Sequence, residues 1–173
     1  MKEGETMFPE EKEELRQMRI FLIWSFCFVV LIKTFYITTF EIEGQSMYPS
    51  YHDQQRIIAE KVSYRMHEPR YSDVVIVHLS NKQSDNHPFN IIKRVIGIPG
   101  DVIEVKNGKV YRNGKVLNEP YIKEEMLDEM DPYRIPKNEY FVMGDNRNNS
   151  SDSRYYGSFS KDSIIGKVWF SIG

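Results

Sequence analysis

Cysteine is almost absent from this sequence. Its single representative, Cys27, lies inside a long apolar run, so the rest of the 173 residues can hold no disulfide, and cysteine usage says little about redox compartment. Histidine is nearly as scarce. His52, His67, His78 and His87 are scattered, without the HExxH or comparable i, i+4 pairing of a metal site, so neither metal nor cofactor is expected. A concentrated block of Lys and Arg is missing too. With a formal net charge of -2 the chain is not a general nucleic-acid binder, because phosphate-driven affinity needs a dense positive surface. Internal repeats, low-complexity tracts and flexible interdomain linkers are likewise lacking.

What the chain has in quantity is apolar surface. At 40% hydrophobic and 13% aromatic residues it suffices for one compact domain and a short extra element, not for two full domains. The run IFLIWSFCFVVLIKTFYIT, Ile20 to Thr38, carries one charge, Lys33, and is near the length that spans hydrocarbon. Its many Ile, Leu, Phe and Val residues contribute roughly -0.3 to -0.6 kcal/mol each at a helix centre, against about +2.5 to +3.5 for a lysine near one end that can snorkel. Insertion therefore outweighs a buried core helix. A cleaved signal peptide fits less well, because the run is too long and no small-x-small site follows it. Arg16 and Arg19 abut its N-terminal side, and after Thr38 the next basic residue is Arg56. The positive-inside rule then predicts a cytoplasmic tail over 1–19, a single-pass membrane helix over 20–38 and an extracytoplasmic domain over 39–173.

Beyond the helix the signals are those of strands. Phe40 to Glu43, Gln55 to Glu60, Asp73 to His78 and Asn90 to Ile96 are short β-branched or aromatic runs bounded by turn formers. Asn-Gly pairs at 107–108 and 113–114 supply the positive φ angles of type I′ turns and predict a meander within DVIEVKNGKVYRNGKVL. Val142–Met143 and Ile164 to Ser171 complete a compact, mainly β, antiparallel domain. Only EEMLDE, Glu124 to Glu129, reads as helix.

Three stretches carry candidate chemistry. In EGQSMYPSYH, Ser46 sits on a tight turn, a commonplace position for serine that needs no catalytic role. In NIIKRVIGIPGD, strand alternation sets Lys93 on one face with Ile91 and Val95, and puts Ile92, Arg94 and Ile96 on the other. A lysine so flanked is desolvated, which lowers its pKa. The competing reading is an edge-strand lysine that blocks aggregation. Together, serine and desolvated lysine make sense as a Ser-Lys dyad. Neutral Lys93 takes the Ser46 proton and returns it to the leaving amine, a role that wants a lysine pKa of about 7 to 8. The third stretch, MGDNRNNSSDSRYYGSFS, holds Ser150, Asp152 and Arg154. These form either a buried hydrogen-bonded shell around the dyad or simple turn caps.

In order and spacing, GQSMYP at 44–49, IIKRVIGIPGD at 91–101 and GDNRNNSSDSRYYG at 144–157 resemble bacterial type I signal peptidases of the short, single-anchor Gram-positive form. The resemblance covers nearly the whole chain and implies a compact antiparallel β domain of the signal-peptidase type behind one transmembrane helix. By similarity, Ser46 is the nucleophile and Lys93 the general base, Ser150 hydrogen-bonds and orients the lysine amine, and Asp145–Arg94 and Asp152–Arg154 are supporting salt bridges. Phe40, Ile42, Met47 and Ile92 match positions lining shallow apolar pockets that select small residues at the first and third positions before the cleaved bond, although each also reads as ordinary core. The implied partners are preprotein signal peptides, membrane lipid and a nearby secretion translocon, with the substrate extended between the strand before Ser46 and the one leading to Lys93. Some members place Ser or Thr two residues before the nucleophile to help hold the oxyanion. Here that position is Gly44, as is common in Gram-positive members, so the second oxyanion donor is open.

Three rival readings are weaker. Ser158-Phe159-Ser160-Lys161 and Ser84-Asp85-Asn86 match motifs of penicillin-recognising acyl enzymes, but their order is wrong, K-T-G is absent and the chain is too short. A self-cleaving repressor of the Ser-Lys class would carry a DNA-binding segment where this chain has its apolar run. A membrane-tethered module that grips exported peptides by strand addition without cutting them is the non-enzymatic alternative.

Overall fold

The computed structural model describes residues 8–80 and 89–172. Ser84-Asp85-Asn86 and His87 lie outside these residues, as does the beginning of the tail. The chain divides into two units between Ile37 and Thr38.

The first unit is helix α1, Pro9–Phe35. Proline at its first position loses nothing, since that amide has no intrahelical acceptor, and Glu10 and Glu11 face the positive end of the helix dipole. The Glu11 carboxylate also accepts from the Phe8 amide at 2.9 Å. Further along, Phe21, Trp24, Phe26 and Phe28 all stand exposed, the pattern of a helix apolar on every side. Long and apolar enough to cross a membrane, this helix is a candidate membrane anchor. It starts well inside the charged segment assigned to the tail and stops at Phe35, short of the expected end at Thr38. The reason is local: the Tyr36 amide closes the last turn on Ile32 O, and the β-branched Ile37, Thr38 and Thr39 enter a strand.

The second unit is built on strands. In chain order these are β1 (Ile37–Glu41), β2 (Arg56–Glu60), β3 (Val74–Leu79), β4 (Phe89–Gly97), β5 (Val102–Lys106), β6 (Lys109–Arg112), β7 (Lys115–Val116), β8 (Met130–Arg134), β9 (Glu139–Met143), β10 (Phe159–Ser160) and β11 (Ile164–Ile172). Single helical turns occur at α2 (Ser63–Met66) and α3 (Ser153–Tyr156). A large sheet runs β1-β2-β11-β3-β4-β9-β10 and a small one β7-β6-β5-β8. Strand β3 reads VVIVHL because both its faces are covered. Val75, Val77 and Leu79 pack with Val95 and Val142, while Val74 and Ile76 pack with Ile42, Ile57 and Ile92. A third cluster joins Ile96, Phe141 and Met143 of the large sheet to Ile103, Val105 and Val110 of the small one.

Both Asn-Gly turns form as two-residue hairpins. Asn107 and Gly108 take φ 51° and 73°, Asn113 and Gly114 take 53° and 76°, and Lys106 pairs with Lys109 and Arg112 with Lys115. The expected helix over Glu124 to Glu129 is absent. Six residues are too few to nucleate alone, and tertiary partners claim the backbone: Met126 N–H donates to Gly108 O at 3.2 Å and Leu127 N–H to Asn148 Oδ1 at 3.0 Å. Strand β8 was illegible because Pro132 interrupts it, which an edge strand tolerates.

One charged pair is wholly interior. The Arg147 side chain is completely buried and grips Glu119 through two hydrogen bonds of 2.6 and 2.9 Å, with Nε donating to Gly144 O at 3.0 Å. Removing one partner strands a buried charge, which typically costs about 3–5 kcal/mol. Thermal denaturation of the full-length chain in detergent is therefore expected to show a large fall in Tm for Arg147→Met and recovery of most of it when Glu119→Leu is added. An unchanged Tm for the single variant would contradict this account.

Candidate active site

Ser46 lies in the turn 44–51 between β1 and β2. Gly44, at φ 87°, opens the turn in a conformation that side chains disfavour, and its amide donates to Asp53 Oδ1 at 2.7 Å. Tyr48 N–H closes on Gln45 O at 3.1 Å and Tyr51 N–H on Met47 O at 3.0 Å. Met47 pins the turn from below, fully buried with Ile42 and Ile57. From the opposite side Asn146 holds it, donating its backbone amide to Ser46 O and its side-chain Nδ2 to Gln45 O, each at 3.0 Å.

Lys93 comes from the middle of β4, opposite Val75 of β3. Its side chain is 3% exposed, and Nζ lies 2.7 Å from Ser46 Oγ and 3.0 Å from Ile92 O. Among the described residues no carboxylate forms a salt bridge with it. Burial without a counterion disfavours the ammonium and lowers the pKa to about 8, more than the carboxylates of Asp152 and Asp145 raise it, and the Arg154 charge pushes the same way as burial. This is a buried lysine and not a solvent-facing one that guards an edge.

Both neighbouring carboxylates are spoken for. Asp145, fully buried, accepts from Arg94 Nε at 2.8 Å and Nη2 at 2.6 Å and from the Ser50 hydroxyl at 2.5 Å, while Arg94 lies 4.1 Å over the Tyr121 ring. Asp152, also fully buried, accepts from Arg154 Nε and Nη2 at 2.9 Å each, from Ser150 Oγ at 2.9 Å and from Gly144 N–H at 3.0 Å. Ser150 therefore departs from its expected role. Its hydroxyl donates to Asp152, two residues away, and no hydrogen bond joins it to Lys93, whose own bonds go to Ser46 and Ile92. Ser150 adjoins the dyad through Gly144, where an added Cβ would overlap both Ser150 Oγ and Ser46 O.

Beside the dyad opens a cleft of about 390 Å³, lined by Phe40, Ile42 and Ile92, by Ile57 and Ile76, and by Ser46 and Lys93. Met47, expected among the pocket residues, is not on this wall; it is core beneath the turn. Sequence reasoning missed Ile57 and Ile76, whose inward direction only the sheet decides, and also Ser50, Gly144, Asn146 and Arg147. The last three sit in GDNR, and their sequence signal was membership of the 144–157 block that carries the family resemblance. Among the described residues no three His, Cys, Asp or Glu side chains converge as a metal ion would need.

This arrangement can activate a serine hydroxyl with an amine of lowered pKa next to an apolar cleft. The chain as a whole is similar to known proteins. The family described as "Signal peptidase, peptidase S26" matches residues 15–172. The chain is 38% identical over 139 residues to the probable signal peptidase I-2 of Synechocystis, spanning 80% of this chain and 64% of that protein's length. It is 37% identical over 162 residues to the probable signal peptidase I-1 of the same organism, covering 92% of this chain and 81% of that one. With signal peptidase I S of Bacillus subtilis it shares 33% identity over 178 residues, covering 92% and 93%. The chain belongs to the signal peptidase family, peptidase S26.

Proposed function

We propose that Ser46 and Lys93 carry out the signal-peptide hydrolysis of this family. The observation that carries the reading is the 2.7 Å contact between Lys93 Nζ and Ser46 Oγ in a site whose burial lowers the pKa of the amine to about 8. Neutral Lys93 accepts the Ser46 hydroxyl proton as Oγ attacks the carbonyl carbon of the last residue of the signal peptide. The Ser46 amide holds the oxyanion of the tetrahedral intermediate. Lys93 then protonates the leaving amine, which departs as the new N-terminus of the mature protein, and an ester remains on Ser46. Water, deprotonated by Lys93, resolves the ester and returns the hydroxyl.

The substrate lies extended in the cleft between residues 40–43 and 89–93, adding backbone pairing to the apolar contacts. Side chains at its first and third positions before the bond meet Phe40, Ile42 and Ile92, so small residues fit and larger ones clash. Helix α1 anchors the chain in a membrane with the amino terminus cytoplasmic and the domain after it outside, where preproteins emerge from a translocon.

Four outcomes are expected. Purified full-length protein cleaves a preprotein at a small-x-small site, read by sequencing the new amino terminus, and Ser46→Ala and Lys93→Ala each lose cleavage; full activity in either variant would remove that residue from the mechanism. The rate of the chemical step rises roughly tenfold per pH unit below about 8 and levels above it, because the base is the unprotonated form of Lys93; a flat profile from pH 6 to 9 would exclude Lys93 as base. Gly144→Ala loses activity by roughly 100-fold or more, since its methyl group displaces Ser46 or Ser150 and a small misplacement at the reacting atoms costs that much. Protease added to intact protoplasts removes the domain beyond α1, and protection would reverse the orientation.

A further inference from the structure

We infer that Asn146 is the positioning residue that aims the Ser46 amide at the developing oxyanion. This rests on the reading of Ser46 as nucleophile. Gln45 C=O and Ser46 N–H belong to one peptide unit, which is trans, so the two groups point in opposite directions. Asn146, 3% exposed, donates Nδ2 to Gln45 O and its backbone N–H to Ser46 O, both at 3.0 Å. It therefore grips the carbonyl of each peptide plane flanking Ser46. Tied at Gln45 O by Asn146 and by Tyr48 N–H, the first plane is prevented from rotating, and its N–H faces away, donating to no acceptor among the described residues.

Two physical effects follow. The oxyanion donor is held in place before the reaction, and hydrogen bonding at its carbonyl polarises the peptide, which strengthens the N–H as a donor. The demand on this one amide is high, since Gly44 offers no hydroxyl two residues earlier. The orientation of the Asn146 amide is set by the same contact, because turning it over would bring two oxygens face to face. Its Oδ1 is buried without a hydrogen-bond partner among the described residues. A half-paired buried amide is a poor device for stability alone, because the unmet acceptor offsets what the donor gains. Holding the serine peptide is the use that the donor half serves.

The test compares full-length wild type, Asn146→Ala and the isosteric Asn146→Asp in detergent with a cleavable preprotein. Both variants are expected to lose roughly 10- to 100-fold in kcat with KM within about twofold, and to keep the wild-type pH midpoint, since Lys93 is untouched. The affinity of a peptide boronic acid, whose tetrahedral adduct with Ser46 places an oxygen at this amide, is expected to weaken in step with kcat. Uncleaved peptide, measured on a Ser46→Ala background, is expected to bind as before. Wild-type kcat in Asn146→Ala, a loss confined to KM, or unchanged boronate affinity overturns the inference. If Asn146→Ala shows no cooperative thermal transition, Asn146→Asp decides by the same readings. Cleavage that persists in Ser46→Ala would overturn the reading of the site and this inference together. An inactive Ser46→Ala beside a fully active Asn146→Ala overturns this inference alone.

Discussion

A primary amine buried 2.7 Å from a serine hydroxyl, with no carboxylate paired to it, is the constraint on which the arrangement of this domain turns. Water and counterions both favour the ammonium, so the fold must exclude both to keep the pKa of Lys93 low. Two carboxylates nevertheless sit close enough to raise its pKa, and both are interior. Each is matched by a two-pronged arginine, Arg94 on Asp145 and Arg154 on Asp152, which leaves burial as the dominant influence on the lysine. The ion pairs thus serve electrostatic insulation as much as cohesion.

The sheet supplies the rest of the environment. Strand β4 pairs with β3 along 89–94 but with β9 only along 94–97, so the stretch leading to Lys93 has no strand neighbour on its second edge among the described residues. An open edge next to apolar side chains is a natural place for an extended peptide, and the cleft lies along it. Met47 contributes from beneath. By filling the core under the turn it fixes the height at which Ser46 meets the lysine.

The segment from Gly144 to Arg154 ties these parts together. Gly144 admits Ser46 and Ser150 to close approach, Asp145 and Asp152 hold the arginines, Asn146 holds the serine turn, and Arg147 anchors the whole to Glu119. Its buried charges are paired, Asp145 with Arg94, Arg147 with Glu119 and Asp152 with Arg154, which is how so polar a stretch keeps residues 144–147 and 152–153 interior.

Features that depend on neighbours in the chain were legible without tertiary information: the apolar run, the Asn-Gly hairpins, the strand alternation that buries Lys93, and the serine turn. Their physics is short-ranged, a matter of φ preference, periodicity and hydropathy. Recognising the three motif blocks extended this to the juxtaposition of Ser46 with Lys93 and to the two arginine-carboxylate pairs. What the fold alone decided were matters of long-range partnership. Glu124 to Glu129 gave up a helix because Gly108 and Asn148 claimed its backbone, Met47 became core instead of pocket, Ser150 turned to Asp152 instead of the lysine, and Asn146 reached Gln45 across 101 residues. A hydrogen bond between residues so far apart has no local signature, since its geometry exists only once the strands have set both ends in place.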